Sequence, residues 1–369
     1  MSRLILIALL GCVFSHSLYG KVSDRSHESG WQSMLTFSGQ STLNKDGLDG
    51  RLGVAVDDLV GARQELGLDF RDAKSNRDGR QSRALKLGYS FPVGASALSL
   101  MARDYQAEYA AHGGGQRYNA RSESSVLSVS GSRFLFSGYG VAFDGVARHT
   151  GRKSREFKQG NLISDGAYQL SSLSIKGRWN HELWAGLHAS TDMTALGGRE
   201  YAASDYPVQS DVVNDDRFYK LSVNASLERE VYRWGWELQG RYQFADEELP
   251  GSEQVMVAGP SLLAGFNGQS VYTHEGGWLR IRTLSPSWQV PVMDHTWSNI
   301  GFSLLHGWAP YAGLDDRHCG KVAGGEMSLE LTGRSFTANV SVGRAFKASS
   351  LAVSVPEHPD VRFSLSVGL

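Results

Sequence analysis

The chain has 369 residues, 43 of them glycine and only nine proline, and is 41% hydrophobic and 10% aromatic, which excludes disorder and leaves room for one large or two average domains. A formal net charge of -1 supplies no global field for DNA or RNA, so no nucleic acid is expected as a partner. No internal apolar run approaches the roughly 20 residues that a membrane-spanning helix needs, which excludes a helical membrane protein.

In chain order, Arg3 precedes an apolar run from Leu4 to Phe14, followed by Ser15, Ser17 and Gly20. That is the layout of a secretory signal peptide, so residues 1–20 are read as an export leader. Leu9-Leu10-Gly11-Cys12 also resembles a lipobox, and lipidation of Cys12 stays open as an alternative. Once a leader is removed, Cys319 has no cysteine to pair with and is read as a bystander in an outer loop. Residues 21–30 form a short periplasmic segment, and residues 31–369 carry one continuing pattern.

That pattern is alternation. From Trp31 to Gln40, and again at Glu65 to Arg71, Leu85 to Phe91 and Leu98 to Arg103, apolar residues fall on every second position. The same rhythm returns at Tyr139 to Phe143, Leu173 to Trp179, Tyr219 to Leu227 and Trp234 to Phe244, then at Met327 to Leu331 and Phe336 to Val342. The last stretch, Asp360 to Leu369, puts Val361, Phe363, Leu365, Val367 and Leu369 on one parity. A bare terminal strand must pair with something, and closing it on Trp31 to Gln40 removes both edges. The expected fold is all-β: a transmembrane antiparallel β-barrel of about sixteen strands, at about 22 residues per strand with its connection.

The opposite parity carries both signs of charge, including Asp69, Arg71, Arg103, Lys176, Lys220, Glu237, Arg241, Arg280, Arg282, Glu330 and Arg362. A solvated face of a two-sheet sandwich is the alternative, but sandwiches use about seven to nine strands around a filled core. Short connections are expected at Pro92 to Gly94, Gly131 to Arg133, Val231 to Arg233 and Gly333 to Ser335. Long polar ones are expected at Gln106 to Asn119, Thr150 to Gly166, Gly197 to Asp216 and Asp246 to Gly276. Short periplasmic turns opposite long outer loops are the pattern of the bacterial outer membrane. The turn from Val290 to Gly301 is longer than that rule expects.

Chemistry-bearing motifs are sparse. Gly113-Gly114-Gly115 lacks a following lysine and a strand-to-helix setting, so it is linker and not a phosphate cradle; no cofactor is expected. His188, His295 and His306 lack metal-ligand spacing. Asp315, Asp316 and His318 lie close together near an outer loop and admit a remote reading as a barrel-embedded hydrolase, but a base needs a nucleophile and an orienting group in set geometry, and proximity in a polar loop is usually accident. The basic stretch from Gly151 to Lys158 is either a solvated loop or a contact for lipopolysaccharide phosphates in the outer leaflet.

Further along, the chain reads L-P-G-S-E-Q-V-M-V-A-G-P-S-L-L-A-G-F from Leu249 to Phe266, followed by Glu275-Gly276-Gly277-Trp278. This resembles the two-partner secretion transporters, the haemolysin activator and filamentous haemagglutinin transporter family, where L-P-x-S-E-Q precedes a V-R-G-Y/F tetrad at the tip of a long loop. Pro310 to Asp315 resembles the family's F-x-D strand, Val342 to Ala348 its Y-G-R-P-L-K-A stretch, and Phe363 to Ser366 its closing strand. The resemblance implies an outer-membrane pore that passes an unfolded polypeptide client, with residues 246–275 folded into the lumen as a gate. Its tip would be Leu263, Ala264, Gly265 and Phe266.

Two departures stand out. The resemblance implies an ion pair between an arginine in the tetrad and the aspartate of the F-x-D strand, but Ala264 holds the arginine position and Gly313 that of the phenylalanine. Asp315 remains, with Arg280 or Arg282 as candidate substitutes for the missing cation, and the loop is expected to be held more loosely. The family also places periplasmic polypeptide-transport-associated (POTRA) domains before the barrel, whereas residues 21–30 are far too few for one. Three alternatives stay open: a separate POTRA-bearing protein is the partner that captures the client, the client docks directly on the barrel, or the barrel has drifted to another task, a diffusion porin or small-solute channel descended from it being the alternative function.

Overall fold

The computed structural model describes residues 32–42, 47–57, 64–75, 81–113, 116–203, 215–245, 249–266, 269–291, 293, 295–310, 320–349 and 355–368. The leader and short segment read at residues 1–30 lie outside them, as does Cys319.

Antiparallel strands follow one another around a closed wall. They are β1 (Gln32–Thr42), β2 (Gly47–Asp57), β3 (Glu65–Ser75), β4 (Gln81–Val93), β5 (Ser96–Gly113), β6 (Gln116–Gly138), β7 (Val141–Lys158), β8 (Asn161–Glu182), β9 (His188–Ala203), β10 (Asp215–Val231) and β11 (Trp234–Phe244). Two short strands, β12 (Val255–Ala258) and β13 (Val271–Thr273), pair only with each other. The wall resumes with β14 (Gly276–Leu284), β15 (Trp288–Gln289), β16 (Trp297–Ala309), β17 (Gly320–Thr332), β18 (Phe336–Ala348) and β19 (Asp360–Gly368). The main sheet has 17 strands, and because β14 and β15 lie end to end against β16 they make one wall strand, leaving sixteen.

The ring closes where β19 meets β1, in register from Met34 opposite Gly368 to Thr42 opposite Asp360. Closure satisfies the last backbone edge, which hydrocarbon would not hydrate. Alternation then sorts the side chains. Leu68, Leu85, Leu87, Leu127, Leu173, Ile281, Leu304, Met327 and Phe363 are exposed on the outer surface, while their sequence neighbours point inward. An outer face of leucine, isoleucine and phenylalanine is stable only against lipid. Among the described residues no helix is long and apolar enough to cross a membrane; the outward apolar belt belongs to the strands.

Several connections differ from their sequence reading. Gly131 to Arg133 is not a turn but the interior of β6, and the turn is Tyr139-Gly140, both at positive φ. Thr150 to Gly166 is not a long loop: β7 and β8 continue to a tight turn at Gln159-Gly160. Gln106 to Asn119 likewise belongs almost entirely to β5 and β6. In β6 and β8, with 23 and 22 residues, the strands run to about twice the 9–11 residues that cross a bilayer. Above the membrane both faces are wet, so these segments lose the alternation that would mark them as strands.

The basic stretch Gly151 to Lys158 therefore lies on β7 and divides between faces. Lys153 and Arg155 reach Asp165 on β8 at 3.9 and 3.5 Å, while Arg152 turns to Ser124 and Tyr168.

Candidate functional site: a loop packed into the lumen

Between β11 and β14 the chain leaves the wall and returns to it from the inside. Its base is fixed first. Leu249 packs with Leu170 and Phe218, and its N–H donates to His274 Nδ1 at 2.8 Å. The Gln243 side chain, wholly buried, donates to the Glu253 and His274 carbonyls at 3.0 and 2.9 Å and accepts from Ser222 Oγ at 3.1 Å. Lys220 Nζ lies 2.7 Å from the Glu253 carboxylate and 2.8 Å from its carbonyl oxygen. A buried pair of this kind fixes a geometry more than it adds stability, because desolvation offsets most of the attraction.

The hairpin β12–β13 comes next. Val255, Val257, Ala258 and Val271 join Leu263 and Phe266 in an apolar cluster with the inward-facing Leu305, Val322 and Ala345 of β16, β17 and β18. A hydrophobic core thus sits inside the barrel against one side of the wall.

The tip, Leu263 to Phe266, is the most buried part. Ala264 and Phe266 are 0% exposed. Gly265 donates its N–H to Asp360 Oδ2 at 3.0 Å and its carbonyl accepts from the Ala345 N–H at 3.1 Å. The Ala264 N–H donates to the Glu326 carboxylate. Arg362 donates to the Leu263 carbonyl at 3.2 Å and also to the Pro260 carbonyl. Gly265 has φ +113°, and a Cβ there would lie under 3.0 Å from the Arg344 backbone. Opposite it, a Cβ on Gly343 would meet the Ala264 carbonyl equally closely, so both backbones must be bare for this approach.

The site residues read from the sequence fall into three groups. Leu263, Ala264, Gly265 and Phe266 are brought together against β17, β18 and β19. Arg280 and Arg282 lie on β14, where Arg282 pairs with Glu330 and Arg280 donates to Ser303 Oγ at 3.4 Å. Asp315 falls outside the described residues. The expected loose hold on the loop is not what the geometry shows: the tip is enclosed and bonded through its backbone. Glu326 and Asp360 were missed, although both sit on the lumen-facing parity of their strands.

Residues 22–337 match the haemolysin secretion/activation protein family ShlB/FhaC/HecB. The chain belongs to this family. The outer membrane transporter CdiB of Dickeya dadantii is 23% identical over 320 residues, covering 83% of this chain and 54% of that protein. An Escherichia coli CdiB is 26% identical over 186 residues, 49% of this chain and 31% of that protein. Among solved structures, CdiB from Acinetobacter baumannii aligns with a TM-score of 0.71 at 15% identity, over 92% of this chain and 60% of that one. CdiB from Escherichia coli also gives 0.71, at 17% identity, over 94% and 64%. The chain spans about half the length of the Dickeya relative. Family membership and the lipid-facing belt place this ShlB/FhaC/HecB-family barrel in the bacterial outer membrane.

Proposed function

We propose that the chain is the translocation pore of a two-partner secretion system, passing an unfolded polypeptide client through its lumen with residues 246–275 as the gate. The observation that supports this reading is the tip: Leu263 to Phe266, in the motif that resembles the family tetrad, is buried in the lumen and bonded to Glu326, Asp360 and Arg362. A tip held to the wall by a few polar contacts and two buried apolar side chains, Leu263 and Phe266, is a movable obstruction. Mechanistically, the Arg362 guanidinium and the two carboxylates hold backbone groups rather than side chains, so release frees the tip without leaving a salt bridge broken inside the loop. The charged inner wall would then solvate an extended chain in place of the loop, and the proposal includes no catalytic step or cofactor.

A POTRA-bearing protein is the partner we propose for client capture, and outer-leaflet lipid with lipopolysaccharide forms the surroundings, faced by Lys153 and Arg155. The test is secretion of a large neighbouring-gene product by cells with and without this chain. Secretion that depends on the chain, with the POTRA-bearing protein copurifying, supports the reading. Unchanged secretion in its absence overturns it.

A further inference from the structure

Beyond its base at Leu249, which packs against Leu170 of β8, the loop lies against β16, β17 and β18, and the opposite wall has a different chemistry. On β16, β17 and β18 the inward side chains Leu305, Val322 and Ala345 are buried under the loop at 3%, 3% and 0% exposure. On β8 the inward Arg178 is 60% exposed, so water fills the lumen there.

The inward positions of β4 to β8 carry Lys86, Arg103, Arg148, Arg152, Lys176 and Arg178. Strand register places them on one face: Lys86 stands opposite Arg103, Arg103 opposite Val126, and Val126 opposite Arg152. Nearer the periplasmic turns, Arg148 stands opposite Ser130 and Ser172, and Lys176 opposite Asp144. The next residues along these strands, Leu85, Leu87 and Leu127, face lipid. Against the six cations, the same span offers Asp144, which takes Arg178 at 2.6 Å, and β9 adds Asp192 opposite Arg178. Glu156 lies above this level and Glu182 at the lower rim. On β3 the inward Asp69 stands opposite Lys86, with Arg71 beside it and Glu65 at the lower rim, so the acids reduce the positive excess over β4 to β8 without cancelling it.

We propose that this wall of the lumen, across from the hairpin and tip, is an anion path, which concentrates small anions such as chloride and passes them in preference to cations while the loop remains in place. A wall with an excess of one sign, backed by lipid, focuses its field into the water, raising the local concentration of counter-ions and setting selectivity as charged rings do in channels. The inference goes beyond polypeptide translocation and depends on the barrel alone, whatever the client.

The test uses the purified full chain in planar bilayers under a potassium chloride gradient. The expected chloride-to-potassium permeability ratio is about 3 or more, falling below about 1 in Lys86→Glu/Arg103→Glu/Arg152→Glu. Arg121→Glu, on the outer face of β6, leaves the ratio unchanged. Selectivity of the parent also falls between about 0.1 and 1 M salt as the screening length contracts from about 10 to 3 Å, a readout that needs no variant. Where the triple variant fails to fold, Arg103→Glu alone shifts the ratio in the same direction by a smaller factor. A ratio at or below about 1 in the parent overturns the proposal. So does an unchanged ratio in folded variants, or the lack of any conductance in both the parent and the tip-releasing Arg362→Ala. A secretion defect with selectivity intact bears on the translocation reading alone.

Discussion

Arg362→Ala is the sharpest perturbation of the proposed gate. The side chain donates to two loop carbonyls, at Leu263 and Pro260, from the inward face of the closing strand. Hydrogen bonds from a charged donor contribute about 1.5–3 kcal/mol each, so losing both weakens the hold on the tip by about 3–6 kcal/mol before water replaces them. Taking the lower figure, the released population rises roughly a hundredfold, since each 1.4 kcal/mol is a factor of about ten. A tip free about 0.1% of the time becomes free about 10% of the time. Planar-bilayer recording reads this directly as the fraction of time spent at high conductance, and heat-modifiable electrophoretic mobility confirms that the barrel is folded. Arg362→Lys keeps the charge without the planar fork and should fall between parent and alanine variant. A folded Arg362→Ala barrel whose high-conductance fraction stays within about twofold of the parent refutes the assignment of Arg362 as part of the latch.

Three further outcomes are expected. Gly265→Ala places a methyl group against the Arg344 backbone at a φ that side chains rarely adopt, costing a few kcal/mol and making the loop the first site of limited proteolysis. Leu238→Arg, on the lipid face opposite Leu227 and Ile281, costs about 2–4 kcal/mol in urea unfolding from vesicles, whereas the inward Gln239→Arg is tolerated; equal tolerance contradicts the outward parity. Lys220→Met leaves Glu253 without its cation and costs about 3–5 kcal/mol, while Lys220→Met/Glu253→Gln recovers most of the loss in a double-mutant cycle.

The wall was legible wherever one face of a strand meets lipid. Trp234 to Phe244 alternates because Trp234, Trp236 and Phe244 meet the bilayer while Glu237, Arg241 and Gln243 face inward. Where β6, β7 and β8 rise into water on both sides, nothing forces alternation, and Thr150 to Gly166 reads as loop although it is mostly ladder. The tip was legible as a motif, through Gly265 and Phe266. Its partners were not, because they are set by register between strands far apart in sequence: Asp360 is 95 residues from Gly265, and Glu326 is 62 from Ala264. The alternation assigns Asp360 and Glu326 to the inner face, but only the assembled ring says which carbonyl or amide stands across from them.

The two ends of the loop differ in what release would cost, and this bears on how the proposed gate can move. Ejecting the whole loop would strip Val255, Val257, Leu263, Phe266 and Val271 from the luminal cluster and break the Lys220–Glu253 pair. At about 1.5–3 kcal/mol for each fully buried apolar side chain, that amounts to roughly 8–15 kcal/mol before the ion pair is counted. Freeing only the tip exposes Leu263 and Phe266, roughly 3–6 kcal/mol, plus the contacts to Glu326, Asp360 and Arg362. An extended client that offers its own backbone carbonyls to Arg362 can restore part of the polar share, but it cannot refill a core the size of the β12–β13 cluster. The magnitudes therefore favour a tip that swings away while the hairpin and base stay docked, with Lys220, Gln243 and His274 as the fixed end of the lever.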